Sequence, residues 1–193
     1  NRYNWELVFC ELYAGGKYNN NEGENYEFSL GLNGLGACAT QYSSEYMDVT
    51  VFRDGCRYDL HFEKGENIGG LKKVKCDYES TGSIQKWKPD LEVFTDINIP
   101  LDYYINTLKK QAIVNAGLKF VLTDEVSGNT YEFVYPNGIT DYIKEICEGK
   151  NFTEIQYLET STKGRDREDR PEYKLKMQIA FCFCNEINLL EYY

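Results

Sequence analysis

One run, Gly31-Leu32-Asn33-Gly34-Leu35-Gly36-Ala37, decides where this chain must turn and what it can turn around. Three glycines at that spacing let the backbone bend tightly and approach a ligand, because no Cβ stands in the way. The small residues that follow, Cys38-Ala39-Thr40, open a helix. Peptide N–H groups ahead of a helix N-terminus suit an anion, a phosphate above all. Taken alone, the same run also describes an ordinary flexible turn.

The residues upstream favour the phosphate. Trp5, Val8, Phe9 and Leu12 fall at helical spacing, and Gly15 is a natural stop. Gly16 and Lys17 then open a loop with almost no apolar content, Asn19-Asn20-Asn21-Glu22-Gly23-Glu24-Asn25. The order is helix, Gly-Gly-Lys, polar loop, glycine turn, helix. A lysine on such a loop swings onto a phosphate and closes over it as a lid. The competing readings are a solvated lysine and a disordered loop.

Length and charge exclude several classes. The 193 residues hold one sizeable domain or two small ones, and 42% hydrophobic content suffices for a core. With 17 Tyr, amphipathic rings will do much of the packing. Acids outnumber bases 31 to 21, for a net charge of −10, so the chain alone is not expected to grip DNA or RNA. No apolar run is long enough for a membrane span or a signal peptide, and a cytoplasmic location without membrane partners is expected. The seven cysteines lack metal-ligand spacing, and no metal site is expected within the chain. They are expected to be reduced and buried, and Cys182 and Cys184 to be packing residues. Asn151-Phe152-Thr153 is a formal glycosylation sequon, discounted without a secretion signal. The only histidine, His61, is expected on an exposed strand face with Arg57 and Asp59, which leaves little for triad chemistry.

The expected elements follow from periodicity. A short helix covers 37–44. Met47, Val49 and Val51 alternate, Asp54-Gly55 turns, and Tyr58, Leu60 and Phe62 return. A loop at 65–70 precedes strands at 71–76 and 84–87. A helix at 101–115 carries Tyr104, Leu108, Ala112 and Ile113, capped by Gly117. A hairpin then pairs Leu118, Phe120 and Leu122 with Tyr131, Phe133 and Tyr135. Pro136-Asn137-Gly138 is the best candidate boundary, before a helix carrying Ile139, Tyr142, Ile143 and Ile146. A strand at 152–158, a solvated charged loop at 163–170 and a half-buried alternating strand from Tyr173 to Phe183 complete the chain.

The order of these motifs resembles the ATP-hydrolysing B subunits of bacterial type II DNA topoisomerases, gyrase and topoisomerase IV, of the GHKL ATPase superfamily. The matching words are Tyr13-Ala14-Gly15-Gly16-Lys17-Tyr18, the run Gly31 to Gly36, and Phe52-Arg53-Asp54-Gly55. They continue with Ser80-Thr81-Gly82-Ser83, Lys88-Pro89-Asp90, Asn115-Ala116-Gly117-Leu118 and Tyr135-Pro136-Asn137-Gly138-Ile139. Together they span nearly the whole chain.

The resemblance implies an α/β fold, an α+β two-layer sandwich. Residues 1–137 would be the C-terminal part of the ATP-binding domain, and 138–193 the start of a transducer domain. Lys17, after Gly16, would meet the ATP γ-phosphate. The backbone of Gly31, Leu32, Asn33, Gly34, Leu35 and Gly36 would wrap the phosphates. Val8 and Ala37 would line the apolar part of the pocket. Ser83 stands where the family has a Thr that helps recognise adenine, and Asn33 where it has a His. The family's general base, Mg²⁺ ligand and adenine-binding Asp would all precede Asn1, so no catalytic residue is assigned here. The chain begins without Met, as a fragment would. The implied partners are ATP with Mg²⁺, DNA, a gyrase A-like subunit and a second copy of the parent. The words do not separate gyrase from topoisomerase IV. The alternative is a non-catalytic nucleotide-binding or interaction fragment, supported by the lack of a general base.

Overall fold

A computed structural model describes residues 3–14, 34–165, 167–169, 172–185 and 189–192. They fall into two compact units, Asn1–Asn98 and Ile99–Tyr193.

The first unit is built on an antiparallel sheet of β1 (Ser44–Arg53), β2 (Cys56–Glu63), β3 (Glu66–Asn67), β4 (Lys72–Lys75) and β5 (Gly82–Pro89). The order is β3-β2-β1-β5, and β4 pairs with β2. The β1–β2 turn is the expected Asp54-Gly55, with φ of 53° and 64° between the facing residues Arg53 and Cys56. Positive φ at both central residues matches the twist of the two strands. The 65–70 loop contains the two-residue strand β3, which pairs with Phe62 and Glu63.

Alternation puts Met47, Val49, Leu60 and Phe62 on one face, and two short helices cover it. These are α1 (Asn4–Cys10) and α2 (Gly36–Tyr42). Phe62 is the centre of the core, with the rings of Phe9 and Trp5 at 5.8 and 6.2 Å. The Glu6 carboxylate accepts from the Tyr3 N–H at 2.7 Å and fixes the start of α1. The helix ends at Cys10, earlier than the spacing of Leu12 implies, and it packs Trp5, Phe9 and Cys10 on the sheet. Val8 and Leu12 are exposed. The expected stop at Gly15 lies outside the described residues.

The second unit packs α3 (Leu101–Val114) against the hairpin of β6 (Phe120–Thr123) and β7 (Thr130–Phe133) and against α4 (Ile139–Cys147). Ala112, Ile113 and Tyr135 are buried, with Phe120, Phe133, Ile139 and Tyr142 around them. Tyr104 and Leu118 are exposed, unlike their expected places on an inward face. Leu118 sits in the turn that closes α3, where its N–H donates to the Asn115 carbonyl, so it precedes the alternation of β6.

Pro136-Asn137-Gly138 is a turn inside this unit. Gly138 has φ 55° and ψ −129°, and a Cβ there would lie 3.1 Å from the Ile113 carbonyl oxygen. Only glycine fits that conformation and that approach. Tyr135 donates to Glu145 at 2.6 Å, and Lys109 pairs with the same carboxylate at 2.6 Å. Burial pushes Glu145 up, but the hydrogen bonds from Lys109 and Tyr135 outweigh it and hold the carboxyl below its usual range.

A long hairpin of β8 (Gln156–Gly164) and β9 (Tyr173–Phe181) follows, in register from Gln156↔Phe181 to Gly164↔Tyr173. The expected 152–158 strand is thus shifted toward the C-terminus. Leu175, Met177, Ile179 and Phe181 alternate as expected, yet all are exposed. Among the described residues only α4 packs on this two-stranded ribbon, against β9. The charged run 163–170 joins the strands, with 166 and 170 outside the described residues.

Candidate functional site

The glycine turn enters the structure at Gly34. Its φ is 64°, the left-handed conformation that glycine supplies without steric cost. Leu35 is the N-cap of α2, and no side chain caps this end. The Ala39 N–H donates to the Leu35 carbonyl at 2.8 Å, which closes the first turn. The N–H groups of Gly36, Ala37 and Cys38 precede the first intrahelical donor and have no partner within the helix. Among the described residues, a Cβ at Gly36 would meet nothing within 4 Å. No acidic side chain stands in this first turn to repel an anion. Among the described residues none accepts from these three N–H groups, which leaves donor capacity at the α2 start.

Ala37 anchors that start, because it packs against the core cluster of the sheet. Val51 packs against the same cluster, and its partner on β5 is Ser83. Residues directly opposite on neighbouring strands share a face. Ser83 therefore stands on the helix-bearing face, followed by Gln85 opposite Val49 and Trp87 opposite Met47. All three are exposed, Trp87 at 50%. The structure thus brings Ala37, Gly36 and Ser83 to one face of one sheet. Val8 sits on the exposed side of α1, away from the core. Gln85 and Trp87 were not singled out in the sequence, although alternation from Ser83 points to them. Gly16, Lys17, Gly31, Leu32 and Asn33 lie outside the described residues.

The other face of the sheet holds a separate polar concavity lined by Tyr46, His61, Glu63, Lys64, Glu66 and Ile68. His61 Nδ1 lies 2.6 Å from an Asp48 carboxylate oxygen, and Nε2 lies 3.1 Å from Glu63. Hydrogen bonds to Asp48 first, and then to Glu63, raise the imidazole pKa above its ordinary value. A raised folded-state pKa favours the protonated fold. This contribution is full below pH ~6.5 and disappears as pH rises through the higher folded value. An NMR titration should therefore place the His61 midpoint above ~6.5, and Asp48→Asn should bring it back toward that value. A midpoint at or below ~6.5 in the parent chain would contradict the pairing. Among the described residues, no group of three or more His, Cys, Asp or Glu is placed to hold a metal. No described helix is long and apolar enough to cross a membrane.

No family model matches the chain. It is 34% identical over 145 residues to the B subunit of DNA topoisomerase 4 from Salmonella typhimurium, across 75% of this chain and 22% of that protein. It is 28% identical to the B subunit of DNA gyrase from Thermotoga maritima, across 91% of this chain and 27% of that protein. The structure superposes on the 43K ATPase domain of Thermus thermophilus gyrase B, solved with an aminocoumarin. The TM-score is 0.58 at 28% identity, over 70% of this chain and 37% of that one. That neighbour agrees with the α/β architecture of antiparallel sheets and few helices. The chain is a homologue of the B subunits of DNA gyrase and topoisomerase IV, and it spans about a quarter of their length or less in these two comparisons.

Proposed function

We propose that this chain is the part of a type II topoisomerase ATPase module that runs from the ATP lid to the early transducer. The observation that carries the reading is the start of α2, uncapped among the described residues, after a left-handed Gly34 and on the same sheet face as Ser83. Uncapped N–H groups at a helix start, with a Gly36 that leaves room for close approach, fit a phosphate. The backbone of Gly31 to Gly36 would hold the inner phosphates, and Lys17 would pair with the γ-phosphate. Ala37 and Val8 would face the apolar part of the nucleotide, and Ser83 the adenine.

Mg²⁺, when bound, would neutralise phosphate charge, through a ligand outside these residues. The general base that activates water would also lie outside them, so the 193-residue chain by itself should not hydrolyse ATP. Residues 1–137 would serve nucleotide binding and 138–193 would begin the transducer. This functional division differs from the compact units, whose boundary in sequence falls between Asn98 and Ile99. The parent would act in the cytoplasm. It would couple ATP binding and hydrolysis to DNA strand passage, with a gyrase A-like subunit and as an ATP-dependent homodimer.

The test is Gly36→Val in the full-length parent. The side chain meets none of the described residues within 4 Å, so folding should change by no more than about 0.5 kcal/mol. Nucleotide affinity should nonetheless fall at least about tenfold, because a branched Cβ would stand where phosphate oxygens approach. Full affinity in the variant would remove the phosphate from this turn.

A further inference from the structure

Cys147 and Cys182 are distant in sequence and meet in the second unit. Helix α4 ends at Cys147, and Glu148 and Gly149, at φ 48° and 77°, reverse the chain at once. The Lys150 N–H donates to the Cys147 carbonyl at 2.8 Å and closes this turn. The chain then returns beside the end of β9. Asn151 bridges Cys184, the Phe152 N–H donates to the Phe183 carbonyl at 2.8 Å, and the Phe183 N–H donates to Thr153 Oγ1 at 3.1 Å. These contacts bring the Cys147 and Cys182 sulfurs to 3.3 Å. Both thiols are free, Cys147 buried and Cys182 partly open to solvent.

We propose that Cys147 and Cys182 form a redox modification site, in which a hydroperoxide converts the thiol pair into a disulfide that clamps the end of α4 to the end of β9. The thiolate is the reactive form, and the accessible sulfur is the one that meets the oxidant. The hydrogen bond to Cys182, with burial, raises the Cys147 thiol above its ordinary value, and Cys182 is the more exposed of the two residues. Cys182 therefore reacts first. Its thiolate attacks the peroxide O–O bond, forms an S–OH group and releases the other oxygen as hydroxide, which a proton turns to water. The Cys147 sulfur then attacks the Cys182 sulfur. The S–S bond forms, the S–O bond breaks, and the second oxygen leaves as water with the Cys147 proton. Two thiols lose two electrons, and one hydrogen peroxide becomes two waters. The sulfurs need to close from 3.3 Å to about 2.05 Å, within reach of side-chain adjustment.

The test uses the whole 193-residue chain and hydrogen peroxide. Alkylation before and after treatment should show two of the seven thiols lost, and dithiothreitol should restore both. Peptide mapping without reductant should find Cys147 joined to Cys182. Cys184→Ser should keep that link and Cys182→Ser should abolish it. Because Cys147 is buried and its replacement could disturb packing, the Cys182→Ser variant carries the test, with circular dichroism confirming the fold. A link between Cys182 and Cys184, or the same scatter of pairings as the urea-unfolded chain gives, would overturn the proposal. So would oxidation that stops at sulfinic acid on Cys182 with no cross-link.

Discussion

Phe62→Ala should destabilise the first unit by about 3–5 kcal/mol. Phe62 is fully buried, and its ring meets both Trp5 and Phe9 of α1. Removing the ring leaves a cavity beneath a helix of seven residues, which cannot hold itself in water. The loss is about a fifth or more of the total stability of a typical domain. Urea unfolding of the 193-residue chain, followed by circular dichroism for both units and by Trp fluorescence for the first, which holds Trp5 and Trp87, measures it. Phe181→Ala supplies the contrast. The same ring is removed, but Phe181 is 46% exposed on the ribbon, so the cost should stay below about 1 kcal/mol. Equal losses at the two positions would contradict the burial difference between them.

The same pair of residues shows what a sequence can and cannot tell about this fold. Both lie on strands of clean alternation, and period two correctly gave the strand in each case. It does not say whether a second layer exists to cover the apolar face. For Phe62 the layer is α1 and α2, close in sequence and legible from helical spacing. For Phe181 only α4 packs on its strand, and the ring stays exposed. Turn chemistry was legible wherever it is local, as at Asp54-Gly55 and at Gly138, whose φ of 55° accounts for its glycine. Polar pairing across strands was not. His61 was placed on its exposed face, but its contacts with Asp48 and Glu63 depend on the register of β1 with β2. The Gln41 amide is buried at 1%, and neither its nitrogen nor its oxygen has a hydrogen-bond partner among the described residues. An arrangement that costs about 1–3 kcal/mol leaves no mark on sequence pattern. At the candidate site, the glycine spacing identified the start of α2, and the structure added the face that Ser83 shares with Gln85 and Trp87.

Lys17→Ala in the full-length parent should cut ATP turnover by roughly a hundredfold or more while leaving folding nearly intact. Lys17 lies outside the described residues, so the expectation rests on its sequence setting: Gly-Gly-Lys, a polar loop, then the glycine turn. A surface lysine changed to alanine costs within about 0.5 kcal/mol of stability and nothing in function. A lysine facing the γ-phosphate in a closed, poorly hydrated site acts where charge develops, and its loss removes about 2.7–4 kcal/mol of transition-state stabilisation. The two roles therefore separate on one variant measured three ways. Melting temperature should hold, ATP turnover should collapse, and ADP should bind almost as before because it lacks the γ-phosphate. Unchanged turnover would make Lys17 a solvated lysine. Equal losses of ADP and ATP affinity would move its contact to the inner phosphates, next to the N–H groups at the start of α2.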